Sequence, residues 1–184
     1  MIELVAVDPG VDQRRLQTLA GDLTRILQVH AQVREGMLDI SCARNEQRMQ
    51  YHSTTILSRL DSVAPGNGSR LVGIAAVDLF VPIFTFVFGE AQIGGRCAVA
   101  SFYRLQEQLY GLPPDEERLR ERLTKETVHE LGHTFGLPHC DQWDCVMHSS
   151  HSVELVDVKS AAFCPVCGRT VQEALKGEHV LQNG

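Results

Sequence analysis

A chain of 184 residues can bury one substantial core, or one main domain with a small appendage. Its 17 basic against 23 acidic residues give a net charge of −6 with no basic run, which argues against nucleic acid and anionic membranes as partners. No apolar stretch reaches membrane-spanning length and the N-terminus reads as a strand, not a signal peptide, so a reducing cytoplasm is expected, with the six cysteines as thiols or thiolates.

In chain order, residues 2–7 are a short apolar run closed by Asp8-Pro9-Gly10, which predicts a buried first strand. Leu16, Leu19, Leu23, Ile26 and Leu27 then recur at helical spacing, predicting a covering helix over 11–29. Residues 30–35 alternate as a second strand, with a weaker candidate at 38–40. A second helix is predicted over 51–63, with His52 as a surface or capping residue, before the turn cluster at 64–68. The near-continuous apolar run 71–77 predicts a central strand covered on both faces, and Asp78 at its end a structural hydrogen-bond anchor.

Residues 83–88 are predicted as a further strand and as the candidate edge against which an extended peptide could pair. After the Gly94-Gly95 turn, 97–102 is the last strand. This order implies an α/β fold with a mostly parallel sheet, one antiparallel neighbour being compatible with the Gly94-Gly95 turn. Cys42 and Cys97 lack a spaced partner and are expected to be buried thiols. A charged helix opens at Pro114-Asp115-Glu116, becomes apolar on one face through Leu119, Leu123 and Val128, and carries His129 and His133 in its last turns.

The chemistry concentrates there. Histidines four apart lie one turn above each other on a helix, so His129 and His133 can each offer a nitrogen to one zinc. Glu130 lies about 100° around the helix from His129, where a carboxylate reaches a metal-held water and suits a general base. Gly136 can end the helix in a left-handed conformation and turn the chain, bringing up His139 as a third ligand. Three protein ligands leave a fourth position for water, the pattern of a catalytic zinc. Met147, eight residues past His139, could lie under the rings as a soft apolar floor, or serve as plain core.

Cys140 and Cys145 with the Cys164-Pro165-Val166-Cys167 pair match a closed, tetrahedral structural zinc site, so two zinc ions per chain are expected. A zinc there can supply on the order of 10 kcal/mol of folding free energy to a tail too short for its own core. Cys140 directly follows His139, so the second metal would also help hold the third ligand of the first. His148 and His151 read as polar loop histidines, 153–158 as a short helix or strand, and 171–175 as a final short helix.

Taken together, His129, Glu130, His133, Gly136, His139, Cys140, Cys145, Met147, Cys164 and Cys167 resemble the archaemetzincins, a branch of the metzincin metalloproteases. Val77-Asp78-Leu79 and residues 86–90 also look like family segments, so the resemblance spans most of the chain. It implies a metzincin-type, zincin-like α/β (α+β) fold in two parts: residues 1–136 with a twisted, mostly parallel mixed sheet and the active-site helix, and residues 137–184 with Met147 in a Met-turn and the four-cysteine zinc site. The expected activity is zinc-dependent hydrolysis of peptide bonds in short peptides by a monomer, with Glu130 taking a proton from the zinc water and passing it to the leaving amine. The alternatives are an inactive zinc-binding scaffold of the same fold and, more remotely, a nucleic-acid-binding knuckle at 164–167.

Overall fold

The computed structural model describes the backbone of residues 1–66 and 68–181 and the side chains of those up to residue 176. Asn67, inside the predicted turn cluster, lies outside the described residues. Elements follow in the order β1 (Ile2–Ala6), α1 (Gln13–Leu27), β2 (Ala31–Met37), β3 (Arg44–Asn45), β4 (Gln50–His52), α2 (Ser53–Val63), β5 (Arg70–Ala75), β6 (Leu79–Phe80), β7 (Gly89–Ala91), β8 (Cys97–Ser101), α3 (Glu116–Thr134), α4 (Val153–Val158) and α5 (Pro165–Leu181). The fold is a mixed α/β architecture. Its main sheet has the order β2-β1-β5-β8-β7, parallel except where β7 runs antiparallel to β8.

Burial follows the sheet. Every residue of β5 and β8 is buried, as the continuous apolar runs require of strands covered on both faces. One face packs on α1 and α3 through Leu4, Val72, Ile74, Leu23 and Val128, and the other packs on α2 through Val5, Leu71, Val99, Ile56 and Leu60. Asp12 starts α1 by accepting from the Arg15 amide at 2.8 Å, and Asp115 starts α3 in the same way from Arg118 at 2.9 Å. Asp78 anchors the end of the central strand as expected. It accepts both Arg104 nitrogens at 2.6 Å and the Gln50 amide at 2.9 Å.

Five expectations need correction. Residues 83–88 do not form a strand; the sheet edge is β7, displaced to Gly89–Ala91. Pro82 interrupts the run, Ile83 and Phe84 stand 82% and 57% exposed, and the Phe84 and Thr85 carbonyls accept from the Arg48 and Gln50 side chains instead of a neighbouring strand. The weak strand at 38–40 is absent, and residues 50–52 are strand β4, in a second sheet of order β3-β4-β6, instead of the first turn of a helix. Cys42 is exposed, whereas Cys97 is buried. The final helix begins at Pro165, inside the cysteine pair, because proline is well suited to a first helical turn whose amides lack partners in any case.

The segment after α3 is held to that helix by charge. Arg122, 3% exposed, makes two 2.7 Å bonds to Asp157, one of 2.8 Å to the Leu105 carbonyl and one of 3.2 Å to buried Glu107. One turn on, Lys125 donates to the carbonyls of Val156 and Asp157. Removing one partner of such a cluster strands buried charge. Arg122→Met is therefore expected to lower stability by about 3–5 kcal/mol, read as a lower urea midpoint at unchanged slope.

Candidate metal centres

The second half of α3 is buried although it is polar: His129 and Glu130 are each 5% exposed and His133 9%. Solvent-facing helices do not bury such groups without a compensating role. The helix ends where the sequence predicts. Gly136 has φ +89°, its amide reaches the His133 carbonyl at 2.9 Å, and the Leu137 amide reaches Gly132 at 3.1 Å. The Gly94 amide, from the β7–β8 turn, also donates to the His133 carbonyl at 2.9 Å, so sheet and helix end are tied together.

That turn brings His139 back to the helix. Ring centroids are 4.7 Å apart for His129 and His133, 5.3 Å for His129 and His139, and 5.0 Å for His133 and His139, and one nitrogen from each converges within 4.8 Å of the others. The protons are fixed by the partners. His129 Nδ1 donates to the Val146 carbonyl and His133 Nδ1 to the Leu137 carbonyl, both at 2.7 Å, so each Nε2 carries a lone pair. Those two Nε2 atoms face each other at 3.1 Å. Two lone pairs at that separation repel unless a cation lies between them, and a tetrahedral zinc with bonds of about 2.0–2.1 Å sets its nitrogens at roughly that spacing. The donor set therefore fits zinc. Burial pulls the basicity of all three rings down, assisted at His129 by the nearby Lys159 ammonium and at His139 by His133, which keeps them in the neutral, ligating form.

Glu130 lies against the sheet edge. A Cβ built on Gly89 would lie 2.7 Å from Glu130 Cγ and Oε1, so only glycine lets the edge strand β7 approach this carboxylate. Burial raises the Glu130 pKa well above the ordinary carboxylate range, Glu126 and Glu90 add to it, and Lys159 opposes it. Glu90, on the opposite side of β7, is held by the hydroxyls of Ser53 and Thr54 at the start of α2, which anchors the edge strand.

Met147 is fully buried against the helix. A Cβ on Gly132 would fall 2.2 Å from its sulfur, so the glycine between His129 and His133 is the slot that admits the methionine. Sequence reasoning passed over Gly132, yet a mid-helix glycine costs about 1 kcal/mol relative to alanine and is itself a signal of close approach. Lys159 and Glu126 were also missed; a lone lysine after a short apolar helix carries no pattern. His148 Nδ1 donates to the Cys140 carbonyl at 3.0 Å, while His151 is exposed.

The Sγ atoms of Cys140, Cys145, Cys164 and Cys167 converge within 4.8 Å of one another, and Cys140 and Cys164 are 3.9 Å apart, close to the ~3.8 Å edge of a tetrahedron of zinc-bound thiolates. Backbone amides of Cys167 and Val166 hold the Cys164 thiol down to about 7, whereas burial pushes Cys145 and Cys167 up. The Cys140 amide donates to the Met147 carbonyl at 2.9 Å, so one residue touches the sulfur cluster and the methionine while following His139 directly.

A mixed sheet with a buried helix bearing His-Glu-x-x-His beside its antiparallel edge defines a zinc metallopeptidase class of protein. The comparisons agree. A model of peptidase family M54 matches residues 13–173. The archaemetzincin of Pyrococcus horikoshii is 42% identical over 138 residues, covering 75% of this chain and 72% of that one. Among solved structures, the archaemetzincin of Methanopyrus kandleri superposes with a TM-score of 0.83 at 36% identity, over 95% of this chain and 94% of that one. A zinc-dependent peptidase from Methanocorpusculum labreanum gives 0.83 at 26% identity, over 93% and 100%. The chain belongs to peptidase family M54, with the archaemetzincins, and is a zinc metallopeptidase. No helix among the described residues is long and apolar enough to cross a membrane.

Gly132→Ala is expected to displace Met147 and cost about 1–3 kcal/mol, the usual penalty of overpacking. Thermal melting of Gly132→Ala beside Gly132→Ala/Met147→Ala measures it, the double variant regaining part of the loss.

Proposed function

We propose that His129, His133 and His139 hold a catalytic zinc, that Cys140, Cys145, Cys164 and Cys167 hold a structural one, and that the chain cleaves short peptides. The observation that carries this reading is the pair of Nε2 lone pairs facing each other at 3.1 Å, each fixed by a carbonyl on the far side of its ring. Zinc supplies Lewis acidity, which acidifies a water and polarises a carbonyl.

The chain's own residues supply the rest. The outer edge of β7 has no strand partner among the described residues, and an extended peptide paired along it passes the Glu130 carboxylate. Glu130 takes the proton of the attacking water on a carboxylate oxygen and delivers it to the leaving amine. Its buried position keeps bulk water from competing for that proton. Met147 supports the histidine rings from beneath, in the role of a Met-turn. The larger part, up to Gly136, supplies the sheet edge, Glu130 and two of the histidines, and the part that follows supplies His139, with the cysteine-bound zinc stabilising the smaller part.

Glu130→Gln is expected to keep its zinc and to lose at least 10²-fold in kcat on a peptide library, the scale of a missing general base. Turnover at the parent rate would show that Glu130 is not the base.

A further inference from the structure

Among the described residues, Lys159 is the only lysine with a fully buried side chain. Its ammonium lies 2.8 Å from Glu126 Oε1 and 3.3 Å from the carbonyl of His148. The pair is sealed from solvent, with no exposed area on the lysine and 4% on the glutamate. Burying two ions is costly, and well-packed apolar residues often serve stability as well or better, so the pair calls for a reason other than cohesion.

The reason lies in what it joins. Glu126 sits on α3 one turn before Glu130, and His148 closes the turn that carries Met147. Each carbonyl of that turn has a distinct partner. Cys145 accepts from the His148 amide at 2.9 Å, Val146 from His129 Nδ1 at 2.7 Å, Met147 from the Cys140 amide at 2.9 Å, and His148 from Lys159. One of these bonds orients a metal-binding ring, another ties the methionine to the cysteine cluster, and the lysine fastens the turn's far end to the metal-binding helix itself. Glu126 cancels the charge that an ammonium would otherwise set against a nearby dication.

We propose that Lys159 is a positioning residue for the histidine metal centre: through the His148 carbonyl it clamps the 145–148 turn onto α3, which keeps the Val146 carbonyl on His129 and Met147 under the rings. This rests on the reading of the three histidines as a zinc site. Partners that orient metal ligands are typically worth about 10–100-fold in metal affinity or activity.

The test uses the full chain with zinc at the cysteines and cobalt at the histidines. Because Lys159→Met alone strands the Glu126 carboxylate, the informative form is Glu126→Met/Lys159→Met, which replaces the pair by apolar side chains. It is expected to melt cooperatively and keep its cysteine-bound zinc. The visible cobalt band should shift, cobalt should bind about 10–100-fold more weakly, and kcat should fall more than KM changes. Glu126→Gln, which leaves an acceptor for the ammonium but no longer cancels its charge, should keep the parent band while binding cobalt more weakly than the parent. An unchanged band and affinity in the double variant overturns the proposal, and so does a double variant that no longer folds, since the pair would then be a requirement of the fold. A parent chain that binds no cobalt at the histidines overturns the zinc reading as well. Cobalt binding without turnover sinks only the peptidase mechanism and leaves the positioning role readable from the spectrum.

Discussion

Two imidazole lone pairs forced to face each other are the constraint on which the rest of the structure depends. Neither ring can turn away, because each outward nitrogen is bonded to a backbone carbonyl, Val146 for one and Leu137 for the other. Neither can be relieved cheaply by a proton, because burial disfavours the imidazolium. The surrounding features serve to maintain that confrontation. The left-handed Gly136 turns the chain so that Leu137 meets His133 and His139 comes back to the site, and the 145–148 turn brings Val146 to His129.

The same economy couples the histidine and cysteine clusters. His139 and Cys140 are consecutive, so one short stretch of backbone carries a member of each cluster, and the Cys140 amide holds the Met147 carbonyl. A tail with few large apolar residues could not fix the third imidazole by packing alone. The proposed sulfur-bound zinc and the charged contacts between α3 and the segment around α4, Arg122 with Asp157, Lys125 with Val156 and Glu126 with Lys159, do so instead. Glu130 lies against the sheet edge at Gly89, beside the side of β7 that has no strand partner among the described residues.

Much of this was legible in the sequence because it depends on local spacing. Histidines four apart, a glycine three residues later and paired cysteines each specify geometry over one or two turns of chain, and the apolar runs of β5 and β8 mark strands covered on both faces. The edge strand was misplaced because residues 83–88 look like a strand by composition, while their carbonyls are claimed by Arg48 and Gln50 from distant sequence. The Glu126–Lys159 pair was illegible for a related reason. It joins residues far apart in the chain, and a single charge has no period. The Met147 slot at Gly132 lay between, since the glycine was visible and its occupant was not.

Zinc per chain, measured on metal-replete protein with and without His139→Ala, tests the central claim most directly. Two ions falling to about one, with the cysteine-bound ion retained, is the expected result, because removing one of three imidazoles leaves the facing pair too weak to hold its metal. A parent chain with a single ion, or a variant that still holds two, would contradict the account.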